Sequence, residues 1–226
     1  MFVSWVLVTA EVWGRLRRDH SGVAMIEFAL SLVFLLPIAL TGIELANFAV
    51  ATLRLNQLAM MVSDNVARYR GGIDEAQVDE VMTGVAFAGR GIDFGQQGRV
   101  IVSTVEANGQ TGTQAGYKIT WQRCFGAKNV TSSYGAEGAG ATNATLATGI
   151  GPAANKVKPV NNSALIFAEL RYTYRPIVGT GFLAARELTA LQSFTVRDRS
   201  SQTLTNSTNI PDAKRRLCDA AHLSAT

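Results

Sequence analysis

Three regimes of apolar patterning succeed one another along the chain. From Val23 to Leu53 the positions are predominantly apolar, and the sixteen residues from Phe28 to Ile43 carry no charge. A helix from Val23 to about Leu45 would reach roughly 34 Å, enough to span the hydrocarbon of a bilayer. The run exceeds the roughly 7–15 residues of a signal-peptide core, and Glu44, Asn47 and Arg54 leave no clean small-residue cleavage site behind it. A retained single-pass anchor is therefore favoured over a removed signal. Pro37 lacks the N–H that a helix interior uses, and its ring crowds the preceding turn, which predicts a kink or local melting near Val33 to Pro37. Past the run, Leu53, Leu55, Leu58, Met61, Val62, Asn65, Val66 and Tyr69 keep an approximately helical repeat. The helix is predicted to continue to Arg70 and to stop at Gly71-Gly72.

Asp74 then offers a helix cap, with Gln77 completing a capping box. Val78, Val81, Met82, Val85 and Ala86 form the buried stripe of a short second helix, ended by Gly89 and Gly91. Strand signals follow at Arg99 to Glu106 and at Tyr117 to Cys124, around an Asn108-Gly109 turn. Strict alternation in the second strand puts Tyr117, Ile119, Trp121 and Arg123 on one face. Residues 126–162 are small and polar with no persistent period, which predicts a long surface excursion, partly disordered. Strand character returns from Ser163 to Arg175 and is closed by Pro176. A short apolar segment, Phe182 to Leu188, precedes a last strand from Thr189 to Arg197. The expected architecture is α+β: a long N-terminal helix packed at one half against a mainly antiparallel sheet of about four strands. The chain divides into a leader (1–22), the long helix (23–70), a mixed domain (71–199) and a polar tail (200–226).

With 226 residues, the chain has room for an anchor and one modest domain. A net charge of +4, spread over this length, gives no reason to expect nucleic acid as a partner. Arg15, Arg17 and Arg18 precede the apolar run, partly offset by Asp19, and only Arg54 lies close behind it. The positive-inside rule then puts the N-terminus in the cytoplasm and the larger part of the chain on the exported side. The apolar start, Phe2 to Ala10, is too short to span and reads as an interfacial segment or an overextended start. On the exported side Cys124 and Cys218 have one intrachain pairing open to them, which would tie the tail to the domain. Buried free thiols and intermolecular pairing are the alternatives. Catalysis finds little support. His20 and His222 are the only histidines, and no CxxC, HExxH, GxSxG or P-loop lysine motif occurs. No cofactor or metal is implied. Glu169, Arg171, Tyr172 and Arg175 read as pairs on a strand face, and Trp121, Tyr172 and Tyr174 as packing rather than a carbohydrate site.

Carboxylates in a membrane helix are costly and become functional hypotheses. Glu27 can serve the first-turn N–H groups of the helix. Alternatively, a cut between Gly22 and Val23 would make Glu27 the fifth residue of a new N-terminus, whose amine could neutralise the Glu of a neighbouring copy. Glu44, near the far boundary, reads as interfacial, with pairing inside an assembly as the alternative. The run Ser21-Gly22-Val23-Ala24-Met25-Ile26-Glu27-Phe28, with its basic lead and apolar helix, resembles the class III signal of type IV pilins and pseudopilins. More narrowly it is similar to the TadE/TadG-like minor pseudopilins of tight-adherence (Flp) pilus systems. Further likeness lies in Trp121 to Cys124, Glu169 to Pro176 and Phe194 to Arg199. The resemblance is strongest over 15–70 and patchier over 97–200. It implies a pilin-like transmembrane helix cut at Gly22-Val23 by a prepilin peptidase, with Glu27, Phe28, Pro37 and Glu44 as assembly positions. Its implied partners are that peptidase, other pilins or pseudopilins, an inner-membrane assembly platform and the lipid bilayer. The implied role is as a substrate and structural subunit in surface attachment, not an enzyme, held in a bacterial inner membrane. The apolar start and the large domain depart from a short major pilin and point to a minor subunit. An anchored extracytoplasmic adhesin or sensor that binds a ligand directly is the alternative.

Overall fold

Residues 22–160, 163–179, 184–197, 199 and 201–225 are described by a computed structural model of the chain. The basic lead, Ser21, His20 and the start of the Phe182 segment lie outside the described residues.

One helix, α1 (Val23–Arg68), runs for 46 residues, about 69 Å. It is continuous through Val33 to Pro37, so the local melting expected at the proline does not occur. It ends at Arg68 with Tyr69 in an extended conformation, slightly before the glycine pair. Its two parts face different surroundings. From Ala51 onward, Ala51, Leu55, Leu58, Ala59, Val62, Val66 and Ala67 form a buried stripe at i, i+4, i+7 spacing. Leu53, expected in that stripe, points outward at 62% exposure. Ala51, Ala59 and Ala67 share the contact line with the larger Leu55, Leu58, Val62 and Val66. Short of Glu44, none of the apolar run is buried. By length and composition this helix is able to cross a membrane.

After β1 (Ile73–Asp74) comes α2 (Glu75–Ala88). The Asp74 side chain accepts from Ala76 N at 3.1 Å, and Gln77 Oε1 accepts from Asp74 N at 2.9 Å, completing the capping box. Val78, Val81, Met82 and Val85 are buried in the same core as the α1 stripe. A one-turn helix, α3 (Phe94–Gln97), leads into the sheet.

The sheet is antiparallel, with β2 (Gly98–Ala107), β3 (Tyr117–Phe125), β4 (Leu165–Tyr174) and β5 (Arg186–Thr195) in the order β3-β2-β4-β5. One face meets the helices, where Val100, Val102, Trp121, Ile166, Ala168, Leu170 and Ala190 join the α1 and α2 stripes in one cluster. Each large aliphatic residue buried there stabilises the fold by about 1.5–3 kcal/mol. The strict alternation read for β3 fails at one point. Thr104 pairs with Trp121 while the next residue, Val105, pairs with Ile119, so Thr120 is an extra residue in a bulge. The bulge sends Ile119 to the face opposite Trp121, and there it packs with Val105, Leu165 and Phe167.

That second face is covered by the segment expected to be a long surface excursion, partly disordered. Leu146 and Ile150 are buried against the Ile119 cluster, with Tyr134, Ala139 and Val157 packed beside them. Irregular backbone can lie this close because glycines take positive φ: Gly126 at +117° has its α-carbon beside Gly98 O, and Gly140 at +80° lies against Tyr117 O. A short tail strand, β6 (Leu204–Thr205), pairs in parallel with β1, and the tail then crosses to β3. Cys124 and Cys218 form a disulfide, with Cα atoms 4.9 Å apart.

Candidate functional site

Two regions of α1 hold the carboxylates singled out from the sequence, and their environments differ sharply. The arm from Val23 to Ile43 exposes Met25, Phe28, Phe34 and Ile38 at 78, 63, 73 and 69%. Its hydroxyls are satisfied within the helix, since Ser31 donates to Glu27 O at 2.8 Å and Thr41 to Pro37 O at 2.7 Å. Such an arm offers surroundings an apolar surface with no unmet side-chain hydroxyl. Glu27 is its one charged side chain. It is exposed, and its carboxylate has no partner among the described residues. The helix begins one turn earlier, where Ile26 N donates to Gly22 O at 3.2 Å. Gly22, Val23, Phe28 and Pro37 are likewise exposed on the arm.

Glu44 corrects the sequence reading. It is neither an exposed interfacial group nor held open for another copy, being only 1% exposed within the chain's own fold. Tyr174 at the end of β4 donates its hydroxyl to Glu44 Oε1. Ile177 N and Val178 N donate to Oε2 at 3.0 and 2.8 Å. Asn47 Nδ2 donates to the Tyr174 oxygen at 2.8 Å, and the Phe48 ring stands edge-on to Tyr174 at 5.2 Å. Burial, reinforced by the hydrogen bond to Glu44, pushes the Tyr174 phenol up to about 12. Glu44 thus fixes the arm to the corner that follows β4. No local pattern could reveal this, since the donors lie at a sequence separation of about 130 residues.

The polar residues of the sheet are likewise absorbed by the fold. Glu169 is fully buried, accepting from Ser132 Oγ at 2.8 Å and pairing with Arg171 at 3.0 Å, so it holds the covering segment down. Arg123 Nε donates to Glu75 Oε2 at 2.9 Å, and Arg215 Nε from the tail to Glu75 Oε1 at 2.7 Å. Burial drives the Glu75 carboxyl up, but the Arg123 and Arg215 contacts outweigh it and leave its pKa below the ordinary carboxylate range. Trp121 Nε1 donates to Gln202 O and the Tyr172 hydroxyl to Ile92 O. A cavity of about 330 Å³ lies against the disulfide, lined among others by Ile101, Val130, Leu217, Glu137 and Asp219. Among the described residues no group of three or more His, Cys, Asp or Glu converges as a metal site.

No family model, curated protein or solved structure matches the chain.

Proposed function

We propose that the chain is a minor pseudopilin of the tight-adherence type, anchored through α1 in a bacterial inner membrane with its sheet domain on the exported side. One observation carries the reading. An apolar arm with no buried residue projects from a folded domain, and its sole charge is Glu27, the fifth residue after Gly22. An unpartnered carboxylate on such an arm calls for a positive group from elsewhere. The amine freed by a cut at Gly22-Val23 on a neighbouring copy is one of the right charge. The disulfide supports the exported side, because such bonds persist in oxidising compartments. In this reading the protein is processed by a prepilin peptidase, and its arm packs among other pilins or pseudopilins or at the assembly platform. The sheet domain is carried outward for surface attachment. The test is mass determination of the membrane-extracted protein with and without the peptidase. Val23 is expected as the first residue only when the peptidase is present; an uncut N-terminus in its presence would overturn the reading.

The cavity beside Cys124–Cys218 favours a second reading, an anchored domain that binds a ligand directly. Under that reading Glu27 is dispensable.

A further inference from the structure

β5 leaves one side of the sheet open. Its inner edge is laddered to β4 from Leu165–Thr195 to Tyr174–Arg186. Its outer edge pairs with no strand among the described residues. The opposite edge is treated differently. β3 is closed by the covering segment and the tail, through Ile119 N to Ala139 O at 2.9 Å, Gly138 N to Ile119 O at 2.8 Å and Cys124 N to Arg216 O at 2.7 Å. Along the ten residues of β5, alternate N–H and C=O groups face outward with no partner among the described residues. The usual protections are missing too, for β5 has no proline, no lysine and no bulge against β4. Its two charges sit at the start and are both engaged. The Arg186 guanidinium lies 5.4 Å from the centre of the Phe48 ring, and Glu187 pairs with Lys128 at 2.5 Å. The eight positions from Leu188 to Thr195 are uncharged.

We infer that the outer edge of β5 is a docking site for an extended, uncharged strand of a partner chain, with apolar residues at alternate positions beside Leu188, Ala190 and Phe194. Backbone pairing supplies the attraction, and the engaged charges at Arg186 and Glu187 leave nothing to recruit a strongly charged segment.

A second copy of this chain does not fit the edge. α1 runs in the same direction as β5, since Phe48 meets Arg186 at one end and Arg197 N donates to Ala67 O at the other. Antiparallel pairing of two β5 edges would point their arms in opposite directions, which a shared membrane forbids; this step rests on the anchoring proposed above. Parallel in-register pairing would set Arg186 against Arg186 and Glu187 against Glu187. Extending the sheet head to tail would need an open β3 edge, and that edge is closed.

The test uses the full chain in detergent micelles and a synthetic peptide of the sequence Leu188 to Thr195, which is free of any arm. Hydrogen exchange at the β5 amides is expected to slow at least about tenfold on adding the peptide. A fully N-methylated version of the peptide should give no slowing. The double substitution Thr189→Lys and Ser193→Lys should abolish the slowing while leaving the thermal midpoint unchanged. If that variant fails to fold, the N-methylated peptide on the wild-type chain still decides. Absence of slowing, or equal slowing by the N-methylated peptide, would overturn the inference. So would concentration-dependent dimerisation of the chain alone with protection of β5. Flotation of the full chain with liposomes reads the anchoring separately, so the two readings fail independently.

Discussion

A carboxylate buried at the end of an apolar arm needs donors, and Glu44 takes them from the corner after β4: the Tyr174 hydroxyl and the Ile177 and Val178 amides. Removing the hydroxyl alone tests this joint. Tyr174→Phe keeps the ring against Phe48 but takes a donor from Glu44, and it should lower the thermal midpoint by about 2–4 °C. It should also speed proteolysis at residues 175–179; calorimetry and timed digestion check the two effects. What was legible at single positions depended on how local the interaction was. The Asp74–Gln77 capping box spans three residues and could be read directly. Thr120 could not be identified as a bulge, because the extra residue is defined only against its partner strand. For the same reason the local pattern around Glu44 suggests an interfacial group or pairing inside an assembly, whereas its donors lie in the fold of its own chain.

Among the elements, the strands and both longer helices left periodic signals, whereas the tail and the segment over the second face did not. The tail lies on the domain through backbone bonds and scattered ion pairs, and the segment through isolated apolar residues such as Leu146 and Ile150, neither of which needs an apolar period. The tail is held by Arg215 to Glu75, Arg216 to Asp79 at 2.6 Å, and the disulfide. Beyond Cys218, His222 Nε2 meets Asp212 O at 2.8 Å and its Nδ1 faces Asp219. The hydrogen bond to Asp219 raises the His222 pKa, and the same contact lowers that of Asp219. A raised imidazole stabilises the fold fully below the usual histidine value of about 6.5, and that contribution is lost as pH rises through the folded value above it. The depressed carboxyl behaves oppositely, contributing above the ordinary carboxylate range and losing that contribution in acid. Protection of residues 219–225, taken relative to the intrinsic exchange rate at each pH, should therefore be greatest in mildly acidic buffer and fall toward alkaline pH. His222→Asn should remove that alkaline loss of protection, and protection factors measured across a pH series check it.

The whole molecule joins an exposed apolar arm to a two-sided domain, and the α+β class with one long helix and an antiparallel sheet was readable from patterning alone. The order β3-β2-β4-β5 was not, since neighbours in the sheet are chosen by contacts distant in sequence. At this level Glu27→Ala separates the two functional readings. Under the pseudopilin reading it should abolish fibre assembly and adherence while leaving the thermal midpoint of the extracted protein unchanged, because Glu27 contacts no part of the domain among the described residues. Unaltered adherence would favour the anchored ligand-binding reading. The parallel course of α1 and β5 has a mechanical consequence. The helix is fastened to the sheet domain at Glu44 and again where Arg197 N meets Ala67 O and Arg199 meets Val66 O. A pull along the arm therefore loads the helix–sheet seam in shear, so its contacts bear tension together rather than opening one after another. A domain towed by this arm would resist detachment better than one attached at the tip of its helix.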